Sequence, residues 1–351
     1  MNSEASNGKR VTRRVRLKDV AEKAGVAVNT ASTILNRRPN SWASKATVER
    51  VFAAAKELGY RPNRAAVALQ SGRFNTIGLL IADLKNPYFT HIAAVLGVEF
   101  ERRGYDLVIE SWRNDTEREK KLLRDFVDRN VDGLLCFLSD IDAHQEFLQR
   151  QTASGLPIVA LAMAGTESTP VDKVMADFGT GMRQAAEKLH SQGHRKFAFL
   201  AARLKGHRVG RRPALFEQIV GELEGAQFRM VECGTDIAEA RAAAAGVFAS
   251  ADRPTAFVAL NDLTAIGIIR AAADAGLRVP EDVSVVGIDG IPLSEFLTVS
   301  LSTVEQQHAA MLNKAVDFLI ERLEGEDCPP RQELFETRFV NRESSGPASG
   351  K

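Results

Sequence analysis

The chain has 351 residues, 44% of them apolar and 26% charged, a composition of soluble globular proteins and more than one folding unit. No apolar run approaches the roughly 20 residues of a membrane span, and the polar N-terminus lacks the apolar stretch of a signal peptide. A net charge of +1 conceals a division: residues 1–73 hold 15 basic and 5 acidic side chains, the remainder 31 and 40. A basic head on an acidic body is the charge plan of a modular nucleic-acid binder. Cys136, Cys233 and Cys328 stand far apart with no C-x-x-C pair, so they read as buried small residues in a reducing, cytoplasmic setting.

In chain order, residues 1–15 form a basic arm without periodicity, expected to be disordered. Leu17, Val20, Ala21 and Ala24 recur at helical spacing, and Gly25 ends that helix in a turn. Val26 plugs the turn. A second helix is predicted from Val28 to Leu35, with Ala31, Ile34 and Leu35 inward and Asn29, Thr30, Ser32 and Thr33 outward. A third starts after the N-cap Ser44, carries Val48, Val51, Phe52, Ala55 and Leu58 on one face, and stops at Gly59. Helix, glycine turn and helix with a polar outer face is the helix-turn-helix arrangement, although spacing alone also allows a plain three-helix bundle.

Beyond Arg73 the pattern becomes alternating strand and helix. Strands are predicted at 76–82, 106–110 and 133–137 with helices at 88–103 and 117–129. A second series starts at 196–200 and continues through a helix at 236–249, a strand at 255–260, a helix at 263–275 and a strand at 283–288. Each series reads as a doubly wound parallel sheet, and ligands of such sheets bind outside the carboxyl ends of the strands. Asp262 and Asp289 are each placed at such an end, where a carboxylate accepts hydrogen bonds; capping and hinge geometry is the competing explanation for both.

Three stretches of the head, Leu17-Lys-Asp-Val-Ala-Glu-Lys-Ala-Gly-Val26, Thr30-Ala-Ser-Thr-Ile-Leu-Asn36 and Leu58-Gly-Tyr-Arg-Pro-Asn63, resemble the lactose-repressor (LacI/GalR) family. The resemblance continues through Asn86-Pro-Tyr-Phe89, Val131-Asp-Gly133, Gly193-His194, Asn261-Asp262 and Pro280 to Asp289, covering most of residues 16–343. It implies a helix-turn-helix domain at 16–61 and a hinge helix and linker at 62–74. It further implies an effector-binding and dimerisation body at 75–343, related to periplasmic binding proteins, and a tail at 344–351. Within the body, one subdomain would comprise about 75–192 and 306–333 and the other 193–305 and 334–343. The chain would cross between them near Ser191–His194, Thr303–Gln306 and Glu333–Phe335.

The resemblance also assigns roles. Lys18, Val28, Asn29, Thr30, Ser32 and Thr33 would face DNA, with Arg37 and Arg38 on phosphates and Asn63, Ala66 and Leu69 on the hinge helix. Leu69 would wedge into the minor groove. Asn29 suits an adenine edge and Val28 a thymine methyl. Two departures stand out: Ala27 where a capping Ser is usual, and Thr33 where an Arg often reads guanine. The effector would meet Asn86, Tyr88, Phe89, Asp177, Phe178, Asp262, Asp289 and Gln306, with Phe178 either stacking on ligand or only packing. An arginine early in the second half would join them, either Arg203 or Arg208, with Arg208 favoured by loop length. The partners implied are a palindromic DNA operator, a carbohydrate or derivative and a second copy of the chain, with repression as the outcome.

No phosphate-binding loop, G-x-S-x-G or H-E-x-x-H occurs, so no enzyme is indicated. His190 and His194 stand four apart, but nothing nearby supplies a third ligand; neither metal nor cofactor is expected. The remaining alternative is a sugar-binding protein of the periplasmic type with no role in transcription.

Overall fold

The computed structural model describes residues 15–36, 43–60, 72–163, 169–202 and 211–349. Two compact units divide between Phe74 and Asn75. The basic arm, the turn carrying Arg37 and Arg38, the hinge segment with Asn63, Ala66 and Leu69, and the stretch with Arg203 and Arg208 lie outside the described residues.

In the first unit, helices α1 (Leu17–Ala24), α2 (Val28–Leu35) and α3 (Lys45–Leu58) pack pairwise. Gly25 takes a φ of 65°, which lets its N–H return to the end of α1 and turns the chain directly into α2. The mini-core is Val20, Ala21, Ala24, Ala31, Ile34, Val51, Ala54 and Ala55, with Val26 against it. Phe52, expected inward, is 40% exposed. The buried stripe of α3 runs through 51, 54 and 55, and position 52 falls a hundred degrees beyond Val51, so Ala54 takes the interior place. Lys23 pairs with Glu57 at 2.5 Å and ties α1 to α3.

The second unit contains two six-stranded sheets. The first has the order β11-β5-β4-β3-β1-β2, where β1 is Thr76–Ile81, β2 Asp106–Ser111, β3 Gly133–Phe137, β4 Ile158–Met163, β5 Asp172–Asp177 and β11 Gln332–Glu336. All its pairs are parallel, and β1 is apolar along nearly its whole length because both of its faces are covered. The second has the order β12-β10-β9-β8-β6-β7, with β6 Lys196–Ala202, β7 Gln227–Cys233, β8 Ala256–Ala259, β9 Ser284–Asp289, β10 Ser302–Glu305 and β12 Arg338–Val340. Its strands are parallel except for the β10–β12 pair. Helices α4 (Pro87–Arg102), α5 (Thr116–Asp128), α6 (Gln145–Ala153) and α11 (His308–Leu323) accompany the first sheet. Helices α7 (Phe178–Ser191), α8 (Arg211–Gly221), α9 (Ile237–Phe248) and α10 (Asp262–Asp274) accompany the second.

Of the three crossovers, the first differs from expectation and the third falls two residues later than expected. The helix α7 already packs on β10 and β12, so the first crossing is at Asp177–Phe178 and not near Ser191–His194. Gly193-His194 precedes a strand and reads as a beginning, but the helix before it belongs to the same half. The third crossing is at Thr337, whose N–H and hydroxyl both donate to the Asp177 carbonyl, at 3.1 and 2.7 Å. The second follows Gln306, and Gln307 donates to the Glu336 carbonyl at 2.9 Å, so the three crossing strands are bound side by side.

Residues 344–348, expected as part of a tail, belong to the second subdomain: Ser344 is fully buried and its hydroxyl donates to the Val285 carbonyl at 2.6 Å, and the Ala348 N–H donates to the Gln192 carbonyl. His194, 1% exposed, holds the same segment through the Gly346 carbonyl at 3.0 Å while meeting Thr255 at 2.9 Å. That is a structural role, and burial keeps its imidazole below the ordinary histidine range.

Candidate functional site

The two sheets place their carboxyl ends toward a common cavity of about 250 Å3. In each sheet the chain order reverses between the first and third strands of its series, which is where ligands of such folds bind. The cavity is lined from one side by residues following β1 (Ala82, Asp83, Asn86), β2 (Trp112, Asn114) and β3 (Leu138, Ser139). From the other side come Ala202 at the end of β6, Arg212 on α8, Thr235 after β7, and Leu260 and Asn261 after β8.

A polar cluster occupies one end. Asp289, 4% exposed, ends β9 with a φ of 113°, a conformation that an L-residue rarely adopts and that marks a locally strained position. Its carboxylate accepts from Gln306 Nε2 at 3.0 Å and lies 3.9 Å from the Arg212 guanidinium. Burial pushes the carboxyl up to about 6, against the opposing pull of Arg212 and hydrogen bonds from Gln306 and Asn86. Gln306 in turn accepts from the Tyr88 hydroxyl at 3.2 Å; burial, with the Asp289 charge nearby, raises that phenol above its ordinary value. Asn86 caps α4, accepting from the Tyr88 N–H at 3.0 Å.

Arg212 is stacked 3.9 Å above the Phe178 ring centroid and donates to the Leu260 carbonyl at 2.9 Å, while its Nε is buried with no hydrogen-bond partner among the described residues. Phe89, Phe137 and Tyr88 form an edge-to-face group, with ring centroids of Phe89 and Phe137 5.3 Å apart and of Tyr88 and Phe89 4.9 Å apart. Trp112 is fixed by its indole N–H on the Phe137 carbonyl at 3.0 Å. Asn114 donates to the Thr235 hydroxyl at 3.2 Å, which spans the two halves. Apolar and aromatic walls with a few convergent polar groups define a small-molecule site.

Six expected effector residues are therefore brought together: Asn86, Tyr88, Phe89, Phe178, Asp289 and Gln306. Asp177 stands beside them as the N-cap of α7, its carboxylate accepting from the Gly179 N–H at 2.8 Å and the Thr180 hydroxyl at 2.9 Å. Asp262 does not line the cavity. The strand before it stops at Ala259, so Asp262 opens α10 instead of ending a strand. It is fully buried and joins loops of the second half, accepting from the Thr303 hydroxyl at 2.5 Å and the Ile291 N–H at 2.7 Å. Burial and the neighbouring Asp289 charge push its carboxyl up to about 8. Arg208 lies outside the described residues, and the described arginine at the cavity is Arg212. Trp112, Asn114, Ser139 and Thr235 were not singled out by sequence, since each sits in a loop whose only signal is its place after a strand.

In the helix-turn-helix unit, Val28 is 45% exposed, and Lys18 and Asn29 are also exposed. Thr30, Ser32 and Thr33 are half-buried. Thr33 donates its hydroxyl to the Asn29 carbonyl at 2.9 Å and Ser32 accepts from Asn36 at 3.3 Å, so both are partly engaged within α2. Ala27 leaves α2 without a side-chain cap, as its residue type requires.

A helix-turn-helix unit followed by two parallel sheets around a ligand cleft defines a DNA-binding transcriptional regulator under small-molecule control. Residues 16–63 match the family described as bacterial regulatory proteins, lacI family, and residues 186–345 match a periplasmic binding protein-like domain. The HTH-type transcriptional repressor PurR of Aliivibrio fischeri (strain ATCC 700601 / ES114) is 30% identical over 332 residues, covering 93% of this chain and 97% of the relative. PurR of Vibrio vulnificus (strain CMCP6) is 30% identical over 339 residues, with 93% and 98% covered. Among solved structures, the lac repressor dimer bound to operator and the anti-inducer ONPF is 27% identical with a TM-score of 0.80, covering 95% of this chain and 99% of that one. The transcriptional regulator CelR in complex with cellobiose is 28% identical with a TM-score of 0.66, covering 94% and 100%. This chain belongs to the lacI family of bacterial regulatory proteins. It is not an enzyme: the PurR relatives and the lac repressor, matched along nearly their whole length, are repressors, and the alternative of a binding protein without a transcription role falls with that match.

Proposed function

We propose that the chain is a cytoplasmic, homodimeric repressor whose operator affinity is set by a carbohydrate or carbohydrate derivative in the cleft. The observation that carries the ligand class is the cluster of Asp289, Gln306, Asn86 and Arg212 beside the rings of Phe89, Phe137 and Phe178. Directional donors and acceptors suit hydroxyls, and flat apolar faces suit the C–H faces of a sugar ring. The dimer and operator rest on likeness to the operator-bound lac repressor dimer, and the sugar class is supported by the cellobiose complex of CelR. Lys18, Val28, Asn29, Thr30, Ser32 and Thr33 present the DNA-reading face of α2 and its approach, with Arg37, Arg38, Asn63, Ala66 and Leu69 completing the contact. Arg212 takes the part first given to Arg208, and Asp262 supports the loops behind the site. Ligand closure of the cleft shifts the two halves about the triple crossing at Asp177, Gln306 and Thr337, and effector and operator change each other's affinity by one factor.

A thermal-shift screen against sugars, sugar phosphates, nucleobases and amino acids tests the ligand class. A ligand at a hundred times its Kd adds about 2.7 kcal/mol. Stabilisation by a sugar that the Asp289→Ala variant abolishes supports the reading, and stabilisation by nucleobases alone overturns it. A chain lacking residues 1–73 is expected to keep ligand binding and lose DNA binding.

A further inference from the structure

Glu119 is a carboxylate with no exposed surface, inside the first subdomain, on the buried stripe of α5 with Leu122, Leu123 and Phe126. It lies in the first turn of α5, which Asp115 caps from outside, so Glu119 is not needed as the cap. A buried carboxylate is expensive unless donors surround it. Three do. The Ser139 N–H donates at 2.7 Å, the Ser139 hydroxyl at 2.5 Å, and His144 Nε2 lies 3.3 Å away. His144, 4% exposed, closes the turn that follows Ser139 and so fixes the other end of the same loop.

Ser139 lines the cleft at the reversal point of the first sheet. A serine has two hydrogen-bond donors, the backbone N–H and the hydroxyl, and both of these go to Glu119. What remains for a ligand is the lone pairs of Oγ. We infer that Glu119 is a specificity-determining positioning residue: by taking both donors of Ser139 it makes this wall of the cleft a pure acceptor, which selects an effector with a hydroxyl or N–H there. The inference rests on the reading of the cleft as the effector site.

Glutamine at position 119 reverses the polarity with almost no change of shape. Its amide oxygen still accepts the Ser139 N–H, while its NH2 donates to Oγ and turns the hydroxyl proton away from the helix. His144 meets the new side chain by exchanging ring tautomers. Neutron diffraction on the ligand-free, deuterium-exchanged protein reads this directly. In the wild type the Ser139 deuteron lies on the line to Glu119, and in E119Q it points away from residue 119. A deuteron on the Glu119 carboxyl of the wild type, with that of Ser139 turned elsewhere, overturns the inference without any ligand and whether or not E119Q folds.

Calorimetry with D-glucose, D-galactose, D-ribose and their monodeoxyfluoro derivatives reads the consequence, since fluorine replaces a donor by a weak acceptor. For a sugar that binds, E119Q lowers affinity about tenfold, one fluoro derivative loses about as much against the wild type, and both losses vanish in the S139A background. Equal loss from E119Q with and without Ser139 marks a merely structural role and overturns the inference. If D289N and S139A weaken the sugar while E119Q does not, the role of Glu119 fails alone. A sugar indifferent to D289N and S139A as well overturns the reading of the cleft, and the inference with it.

Discussion

Replacing Asp289 by asparagine separates what the site does for binding from what it does to stability. The carboxyl has its folded-state value pushed up to about 6 by burial, which Arg212, Gln306 and Asn86 offset only in part. Against an unfolded value of about 3.9 the rise corresponds to about 3 kcal/mol. Below pH 4 both states hold the proton and the difference vanishes. As pH rises through 4 to 6 the unfolded chain releases its proton first, so the folded state loses stability across that window and the deficit persists above it. D289N removes this titration and also relieves Asp262, which the Asp289 charge helps to push upward. The variant is therefore expected to be more resistant to urea than the wild type at pH 8, by up to about 3 kcal/mol, and to match it near pH 4. Ligand affinity moves the other way, falling by about tenfold to a hundredfold as charge-assisted hydrogen bonds become neutral ones. Urea denaturation of both proteins between pH 4 and 8, followed by calorimetry, is the assay. A variant less stable than the wild type at pH 8, or a gap that does not widen with pH, refutes the argument that burial dominates this carboxylate.

Asp172 is the opposite case: 2% exposed, burial opposes its charge, but Arg322 and Arg331 bind it through four hydrogen bonds and hold its carboxyl below the ordinary range. D172A removes the carboxylate that the two guanidiniums share, while Arg331 keeps Glu321 and Arg322 keeps the Cys328 and Pro329 carbonyls, and it is expected to lose about 2–3 kcal/mol in urea denaturation; the wild-type contribution itself fades as pH falls through the lowered folded value. In β1, a Cβ on Gly78 would stand 2.5 Å from Leu134 Cδ2 and 2.8 Å from Phe126 Cδ1, so G78A is expected to destabilise by about 1–3 kcal/mol on thermal unfolding. Operator affinity is expected to fall steeply with salt, because several of the 15 basic residues of the first 73 would neutralise phosphates; a flat dependence measured by fluorescence anisotropy contradicts DNA binding through that segment.

Local rules read the helix-turn-helix unit nearly residue by residue. Gly25 and Gly59 end helices where glycine spacing places them, and Val28–Leu35 is bounded as the apolar pattern requires. Short helices leave few options, and the one error, Phe52, came from widening the apolar stripe by a single position. Two apolar strands were equally legible, since Thr76–Ile81 and Ser284–Asp289 are covered on both faces and carry the unbroken runs that such burial demands, but the equally apolar Ile158–Met163 is missing from the predicted strands. The edge strand Gln227–Cys233 has neither a continuous run nor a clean alternation, since only one flank is paired, and gave no signal.

Site residues divide by what fixes them. Asn86 and Asp289 stand next to strand or helix ends that sequence can locate, so their position follows from the fold, whereas Gln306 follows a short strand that the pattern does not reveal and is given by the family resemblance. Asp262 looks the same in sequence, yet two residues beyond the end of β8 the chain has already turned into a helix, and the side chain faces Thr303 and Ile291 instead of the cavity. Two aspartates that sequence places alike thus meet opposite fates, because one ends its strand before a glycine at positive φ and the other opens a helix after a capping asparagine. Glu119 is the sharper lesson. Its residue type reads as one more exposed acid, but its place one turn before Leu122, Leu123 and Phe126 puts it on the buried stripe of α5, where Ser139 and His144, from the loop after β3, satisfy it. Those partners, 20 and 25 residues away in sequence, leave no periodic trace, so the spacing gives the inward position of residue 119 but not the donors that allow a carboxylate there. What separates the legible part of the site from the rest is therefore the range of the contacts that fix it, and the side chains that tune a ligand's hydrogen bonds are those fixed from farthest away.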